Sequence, residues 1–355
     1  MGVEEIELMS TQLEEEIREQ PRAIERILRS SRGAIDELCR QIRKRDIVYI
    51  MIAARGSSDN AGIYAKYVFP AFNGLPVAMT TPSLFTFYKK PPRLRNVLVL
   101  GISQSGQSED IVEVLAVAGK QGALTAAITS DKSSPLADAA AHVLLLDERP
   151  EKSVAATKTF SGSLAILALL SAALEKDTER LAGLECLPAM MERTIALSEE
   201  AAREKAERYR YMDRCVVIGR GFSYAIAFEI ALKLKELTYV TAVPYSSADF
   251  LHGPMAMVEP GFPVVLIAPR GKLFPHLKEF ALQLVERSAE LIVISDAEEM
   301  LKLGKTRLPI PEGSPEWLCP ALEVIPGQLL SLHLAIAKGF DPDAPRGLRK
   351  VTVTR

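Results

Sequence analysis

Cysteine is scarce. The chain has 355 residues and four cysteines, Cys39, Cys186, Cys215 and Cys319, with no Cys-x-x-Cys pair among them. That argues against a disulfide scaffold and against a zinc site of the usual spacing, and it fits a reducing cytoplasm. Neither sign of charge is in excess. Lys and Arg number 43 and Asp and Glu 45, for a net charge of −2, with 4 His. Composition therefore gives no electrostatic reason to expect nucleic acid or a membrane surface. The longest apolar run, 164–174, falls short of the roughly 20 residues a bilayer requires and reads as a core helix. The start, 1–19, is acidic and helical in pattern and lacks the apolar stretch of a signal peptide. No lysine-bearing P-loop occurs. The run Gly219-Arg220-Gly221-Phe222-Ser223 lacks the third glycine of a dinucleotide fingerprint, and no acidic residue follows at the right distance.

What is present is an ordinary soluble composition, 48% hydrophobic and 25% charged, in a chain long enough for two domains. The pattern is α/β. Segment 3–45 reads as one or two helices interrupted at Pro21. Apolar strands at 47–53, 77–80, 97–100, 124–129 and 141–146 then alternate with helices at 60–69, 110–120, 135–140 and 157–174. Continuous apolar strands between helices predict a parallel sheet covered on both faces. Segment 177–210 reads as a helical connector. The second half repeats the first. Val48 to Ser58 resembles Cys215 to Ser223, and Ala127-Ile128-Thr129-Ser130-Asp131 resembles Ile292-Val293-Ile294-Ser295-Asp296, both at an offset of about 165 residues. The strand at 264–267 matches the one at 97–100. This divides the chain into an N-terminal helical segment (1–45), two α/β domains (46–176 and 211–340), the connector between them, and a tail (341–355).

The most informative stretch is Ser103-Gln104-Ser105-Gly106-Gln107-Ser108, between the strand at 97–100 and the helix at 110–120. Small hydroxyl residues and glycine between a strand and a helix start build an anion cradle. The helix dipole favours negative charge there, and Ser and Gln side chains donate alongside free backbone N–H groups around Gly106. Without a lysine the cradle suits a sugar phosphate better than a nucleoside triphosphate. The second half has Pro269-Arg270-Gly271-Lys272 at the corresponding place, so one phosphate site is expected, off the carboxyl ends of the strands.

Six runs together resemble the sugar isomerase (SIS) family, nearest to the isomerase half of glucosamine-6-phosphate synthases and to the related deaminases. They are Arg55-Gly56-Ser57-Ser58, Ser103-Gln104-Ser105-Gly106, Val154-Ala155-Ala156-Thr157-Lys158, Ala231-Leu232-Lys233-Leu234-Lys235-Glu236, His252-Gly253-Pro254, and the tail from Asp341 to Thr352. They span nearly the whole chain in the family's order. The resemblance implies two tandem SIS domains, each a five-stranded parallel sheet flanked by helices in a three-layer α/β/α sandwich. It implies a homodimer with shared active sites, a phosphorylated amino sugar as substrate, and no metal or organic cofactor. The synthases' N-terminal glutaminase domain has no counterpart in the sequence given, which favours deamination or isomerisation over glutamine-driven synthesis.

By the same resemblance, Ser58, Ser103, Gln104, Ser105 and Ser108 hold the phosphate. Gly56, Ser57, Val154, Ala156, Lys233 and Arg349 meet the sugar. Glu236 carries a proton between C1 and C2, a task a carboxylate in a partly dry pocket can perform. His252, reaching in from the other subunit, opens the ring, since an imidazole can take and return a proton at neutral pH. Lys350 closes over the sugar from the tail and acts at C2. Spacing alone leaves a plainer reading for Glu229 and Lys233, an i, i+4 pair on a solvated helix face. The sequence departs from the synthase pattern at Arg55, where a cysteine is usual, at Ala156 (a serine) and at Arg349 (an alanine).

Overall fold

The computed structural model describes residues 10–147 and 149–350. The expectations for residues 1–9, and for the tail beyond Lys350, lie outside the described residues. Thr11 caps helix α1 (Gln12–Ser30), its hydroxyl accepting the Glu14 N–H at 3.1 Å. Pro21 does not interrupt this helix. A proline there supplies no N–H to the Ile17 carbonyl, and the Gln20 side chain donates to that carbonyl instead, at 3.1 Å. The chain breaks at Ser31, where α2 (Arg32–Lys44) begins.

Five strands build the first sheet: β1 (Tyr49–Ala54), β2 (Val77–Met79), β3 (Val97–Ile102), β4 (Leu124–Thr129) and β5 (His142–Leu145). All pairs are parallel, in the order β2-β1-β3-β4-β5. Every residue of β3 and β4 is buried, which is why their apolar runs are unbroken. The helices α3 (Ser57–Asn73), α4 (Ser83–Thr86), α5 (Glu109–Lys120), α6 (Pro135–Asp138) and α7 (Lys158–Glu175) complete this half. The expected connector is a single helix, α8 (Thr178–Ala206), which runs through Pro188.

The second half contains β6 (Arg214–Gly219), α9 (Tyr224–Thr238), β7 (Thr241–Ser246), α10 (Ser247–Leu251), β8 (Pro263–Ile267), α11 (Phe274–Glu286), β9 (Glu290–Ser295), α12 (Glu298–Leu301), β10 (Thr306–Pro309) and α13 (Cys319–Ala337). Its sheet is also parallel, in the order β10-β9-β8-β6-β7. Read from β7, the first strand lies beside the second and the third, as in the first sheet. The repeat seen in the sequence is thus a duplicated topology. α3 packs against α7 and α9, α9 against α13, and α13 against α8, so one hydrophobic core crosses from one half to the other. By length and composition α7 and α13 could each cross a bilayer, but 89% of each apolar stretch is buried within the protein. They are core helices.

Candidate active site

In a sheet ordered 2-1-3-4-5, the chain leaves β1 and β3 in opposite directions, and a crevice opens beyond their carboxyl ends. A cavity of about 340 Å³ lies there in the first half. β1 ends at Ala54 and turns directly into α3 through Gly56, whose φ of 55° and ψ of −132° suit only glycine. Ser57 and Ser58 thereby stand in the first turn of α3 at the cavity wall. β3 ends at Ile102, and Ser103, Gln104, Ser105 and Ser108 form the opposite wall. Gly106 is also at positive φ, and a Cβ there would come within 2.2 Å of the Ser134 hydroxyl. The expected free N–H of Gly106 is not available. It donates to the Ser103 carbonyl and hydroxyl, each at 3.2 Å, and so fixes the loop's shape. The cradle then presents mainly side-chain donors and the start of α5, where Ser108 makes no side-chain capping bond. The Asp110 carboxylate in that first turn would oppose an anion. Arg55 donates to it from Nε at 2.9 Å and from Nη2 at 2.7 Å, which offsets its charge.

Glu236, Val154, Ala156, Arg349 and Lys350 line the same cavity, together with Arg55, Glu151 and Thr159. Glu236 comes from the last turn of α9, and its Oε2 accepts from Lys233 Nζ at 2.5 Å. Lys233 does not line the cavity. It lies behind Glu236, its side chain 1% exposed, 3.5 Å from Glu229, whose side chain is wholly buried. The solvated-face reading of this pair is therefore wrong. α9 is enclosed between α3 and α13, which buries the face the pair occupies. Glu229 in turn accepts from Ser57 Oγ at 2.9 Å and from Asn60 Nδ2 at 2.8 Å. The Ser57 hydroxyl is thus committed to Glu229, although the residue reaches the cavity wall. Burial pushes the Glu229 carboxyl up. Burial works to lower Lys233, but Glu229 and Glu236 outweigh it and keep the ammonium raised above its usual range. A charged lysine fixed against Glu236 steers the carboxylate into the cavity.

His252 is the one expected catalytic residue that this cavity does not include. It is exposed and follows α10, in the second half. At the corresponding crevice of that half, Glu316 reaches into the loop after β8. Its Oε2 accepts the Lys272 N–H at 3.2 Å, and a Cβ on Gly271 would meet its carboxyl at 2.4 Å. A carboxylate of the protein itself already engages that loop.

Sequence reasoning missed Glu151 and misjudged Glu229. Glu151 stands three residues before Val154, inside the stretch that lines the cavity, and its buried carboxylate meets Lys350 at 2.6 Å. Its proximity to the Val154 run was the available signal. Glu229 was legible only as the i−4 neighbour of Lys233.

The SIS domain family model matches residues 42–173 and again 209–338. Among curated relatives, the glutamine–fructose-6-phosphate aminotransferase (isomerizing) of Thermococcus kodakarensis is 35% identical over 95% of this chain and 57% of its own length. The chain thus spans somewhat more than half of such relatives. Among solved structures, the C-terminal domain of glucosamine-fructose-6-phosphate aminotransferase from Francisella tularensis superposes with a TM-score of 0.86 at 27% identity, covering 96% of this chain and 99% of that one. Glucosamine-6-phosphate deaminase from Thermotoga maritima shares the fold, with a TM-score of 0.78 at 22% identity over 97% of this chain and all of that one. With two matched segments, two like-ordered parallel sheets and a serine-lined crevice at the switch point of the first, the chain belongs to the SIS domain family and carries two copies of the domain in tandem.

Proposed function

We propose that the protein is an aldose–ketose isomerase acting on an amino sugar 6-phosphate, converting glucosamine 6-phosphate and water to fructose 6-phosphate and ammonia. The observation that carries this reading is the placement of the Glu236 carboxylate in the same cavity as the Ser103–Ser108 cradle and the Lys350 amine. The cradle and Ser58 hold the phosphate, and the chain of the sugar runs toward Glu236. In the open-chain aldehyde, Glu236 removes the proton from C2 and returns it to C1. The product of that shift is a C2 imine with a C1 hydroxymethyl group. Water adds to the imine and ammonia leaves, which balances the reaction. Lys350 stands at the C2 end to stabilise the group there. His252 opens the ring from a second copy of the chain, a role consistent with its exposure outside its own cavity. The same machinery accelerates the reverse reaction, with free ammonia or ammonia from a separate glutaminase.

The direct test is release of ammonia and fructose 6-phosphate from glucosamine 6-phosphate by the purified protein. Neither product at any enzyme concentration would refute the reading. Arg55 and Arg349 favour a second reading. Both residues line the cavity, where the synthase pattern has cysteine and alanine; Arg55 is engaged with Asp110, which leaves Arg349 to meet a substrate whose nitrogen carries an acidic substituent, a fructosamine phosphate. Turnover of such ketosamine phosphates in preference to glucosamine or galactosamine 6-phosphate separates the two.

A further inference from the structure

The Glu151 carboxylate is wholly buried and gathers five donors. Its Oε1 accepts from the Thr157 N–H at 2.9 Å, the Thr157 hydroxyl at 3.2 Å and the Thr159 N–H at 3.1 Å, so one oxygen is spent on the start of α7. Its Oε2 accepts from the Thr159 hydroxyl at 2.7 Å and from Lys350 Nζ at 2.6 Å. Burial alone would raise this carboxyl. Lys350 and the threonine donors outweigh burial and hold it below the usual carboxylate range.

The segment that carries Glu151 is itself fixed from α1. Glu16 accepts the Lys152 N–H at 2.5 Å and the Ser153 N–H at 3.1 Å, and Glu19 accepts from Lys158 Nζ at 2.8 Å. The tail is anchored to α1 as well. Asp343 accepts the Gln12 and Leu13 N–H groups at 2.8 and 2.9 Å. Further on, the Arg346 N–H donates to the Tyr239 hydroxyl at 2.7 Å and its guanidinium lies 3.9 Å from the centre of that ring. α1 therefore holds both the wall of the cavity and the root of the tail, and the Glu151–Lys350 contact closes the circuit between them.

We propose that Glu151 is a positioning residue, a buried latch that seats the tail and sets the Lys350 amine at the cavity mouth. A rigidly held, buried carboxylate fixes the lysine in place, since losing that lysine leaves buried charge poorly compensated. Four of its five contacts lie within residues 151–159, and the fifth is the only one that belongs to the tail. The functional consequence rests on the reading of Lys350 given above. Glu151 acts through the lysine, so its loss lowers kcat while leaving the affinity for the phosphorylated end of the sugar nearly unchanged.

The seating is tested without substrate. Wild type and Glu151→Gln are treated briefly with acetic anhydride, and acetylation at Lys350 is read by mass spectrometry against exposed Lys66. Labelling of Lys350 is expected about tenfold faster in the variant, the scale of a lost charge-assisted hydrogen bond. An unchanged rate in a variant with wild-type circular dichroism overturns the latch. Should Glu151→Gln not fold, Lys350→Met probes the contact from its less buried end. Trypsin cleavage after Arg346 and Arg349 is then expected to accelerate, and an unchanged rate again overturns the proposal. Where turnover is measurable, the Glu151→Gln, Lys350→Met double variant is expected to be no slower than Lys350→Met alone, whereas additive losses overturn action through the lysine. Absence of turnover in wild type would sink the proposed function and leave the labelling result to decide the latch.

Discussion

Individual side chains in the cavity are set by partners outside it. Asp110 stands in the first turn of α5, beside the phosphate cradle, and Arg55 offsets its charge. Arg55→Ala is expected to raise KM for a sugar phosphate about tenfold with a smaller change in kcat, since the cavity wall loses a cation and the charge of the buried Asp110 loses the guanidinium that offsets it. Steady-state kinetics at two salt concentrations check this, and a KM unchanged at low salt would contradict it. A second carboxyl, in the other half, affects stability and not chemistry. Glu323 is buried on α13 with Ser223 Oγ donating to Oε1 at 2.9 Å, and burial pushes its pKa up to about 8. The folded state then keeps a proton that the unfolded chain releases in the ordinary carboxyl range. Its contribution to stability is therefore lost as pH rises from that range to about 8. Glu323→Gln has no such proton to lose. Its melting temperature should fall less than that of wild type between roughly pH 5 and 8, and parallel curves would show that Glu323 does not titrate there.

Among the elements, α1 departs most from its sequence expectation, and the reason is local. Proline in a helix interior leaves a carbonyl without its donor. Gln20 supplies one, and the same amide donates to Gln328 on α13 at 2.8 Å while its oxygen accepts from Ser161 on α7 at 2.6 Å. Gln20→Leu removes all three contacts from a buried position and should cost on the order of 3 kcal/mol. Urea unfolding would show it, and a loss below about 1 kcal/mol would mean the helix tolerates Pro21 without help. The strands were more legible than the helices. β3 and β4 are sheathed on both faces, so burial is written into each successive residue. The serine cradle was legible because strand, small residues and helix follow one another in the chain. The Glu229–Lys233 pair was not, since i, i+4 spacing is the same on a solvated face and on one enclosed by α3 and α13. Proximity to the Val154 run could have placed Glu151 near the site, but not its bond to Lys350, which lies 199 residues away and which no local pattern announces.

At the scale of the molecule, duplication supplies two like crevices, and the sequences differ where it matters. The first is lined by serines and open, while the loop of the second takes up Glu316. The repeat at about 165 residues made the paired topology readable in the sequence. The join between the halves, through α3, α9 and their buried Glu229, became visible only in three dimensions. The cavity also lacks the expected ring-opening histidine, His252, which under the proposed function comes from a second copy. Mixing inactive Glu236→Gln with inactive His252→Ala protein should restore activity to about a quarter of the wild-type level, because half of a random mixture is mixed dimers and each has one intact site. No recovery after subunit exchange would show that His252 does not serve the site of a second copy.

Glu236 is the centre of the whole account, and the most direct measurement follows its proton. Glucosamine 6-phosphate is incubated in D2O with wild type and with Glu236→Gln, and the fructose 6-phosphate formed is read by NMR. Wild type is expected to yield product with solvent deuterium partly incorporated at C1, and the variant to be slower by on the order of a thousandfold with its fold unchanged. Product formed by the variant at the wild-type rate would contradict the assignment.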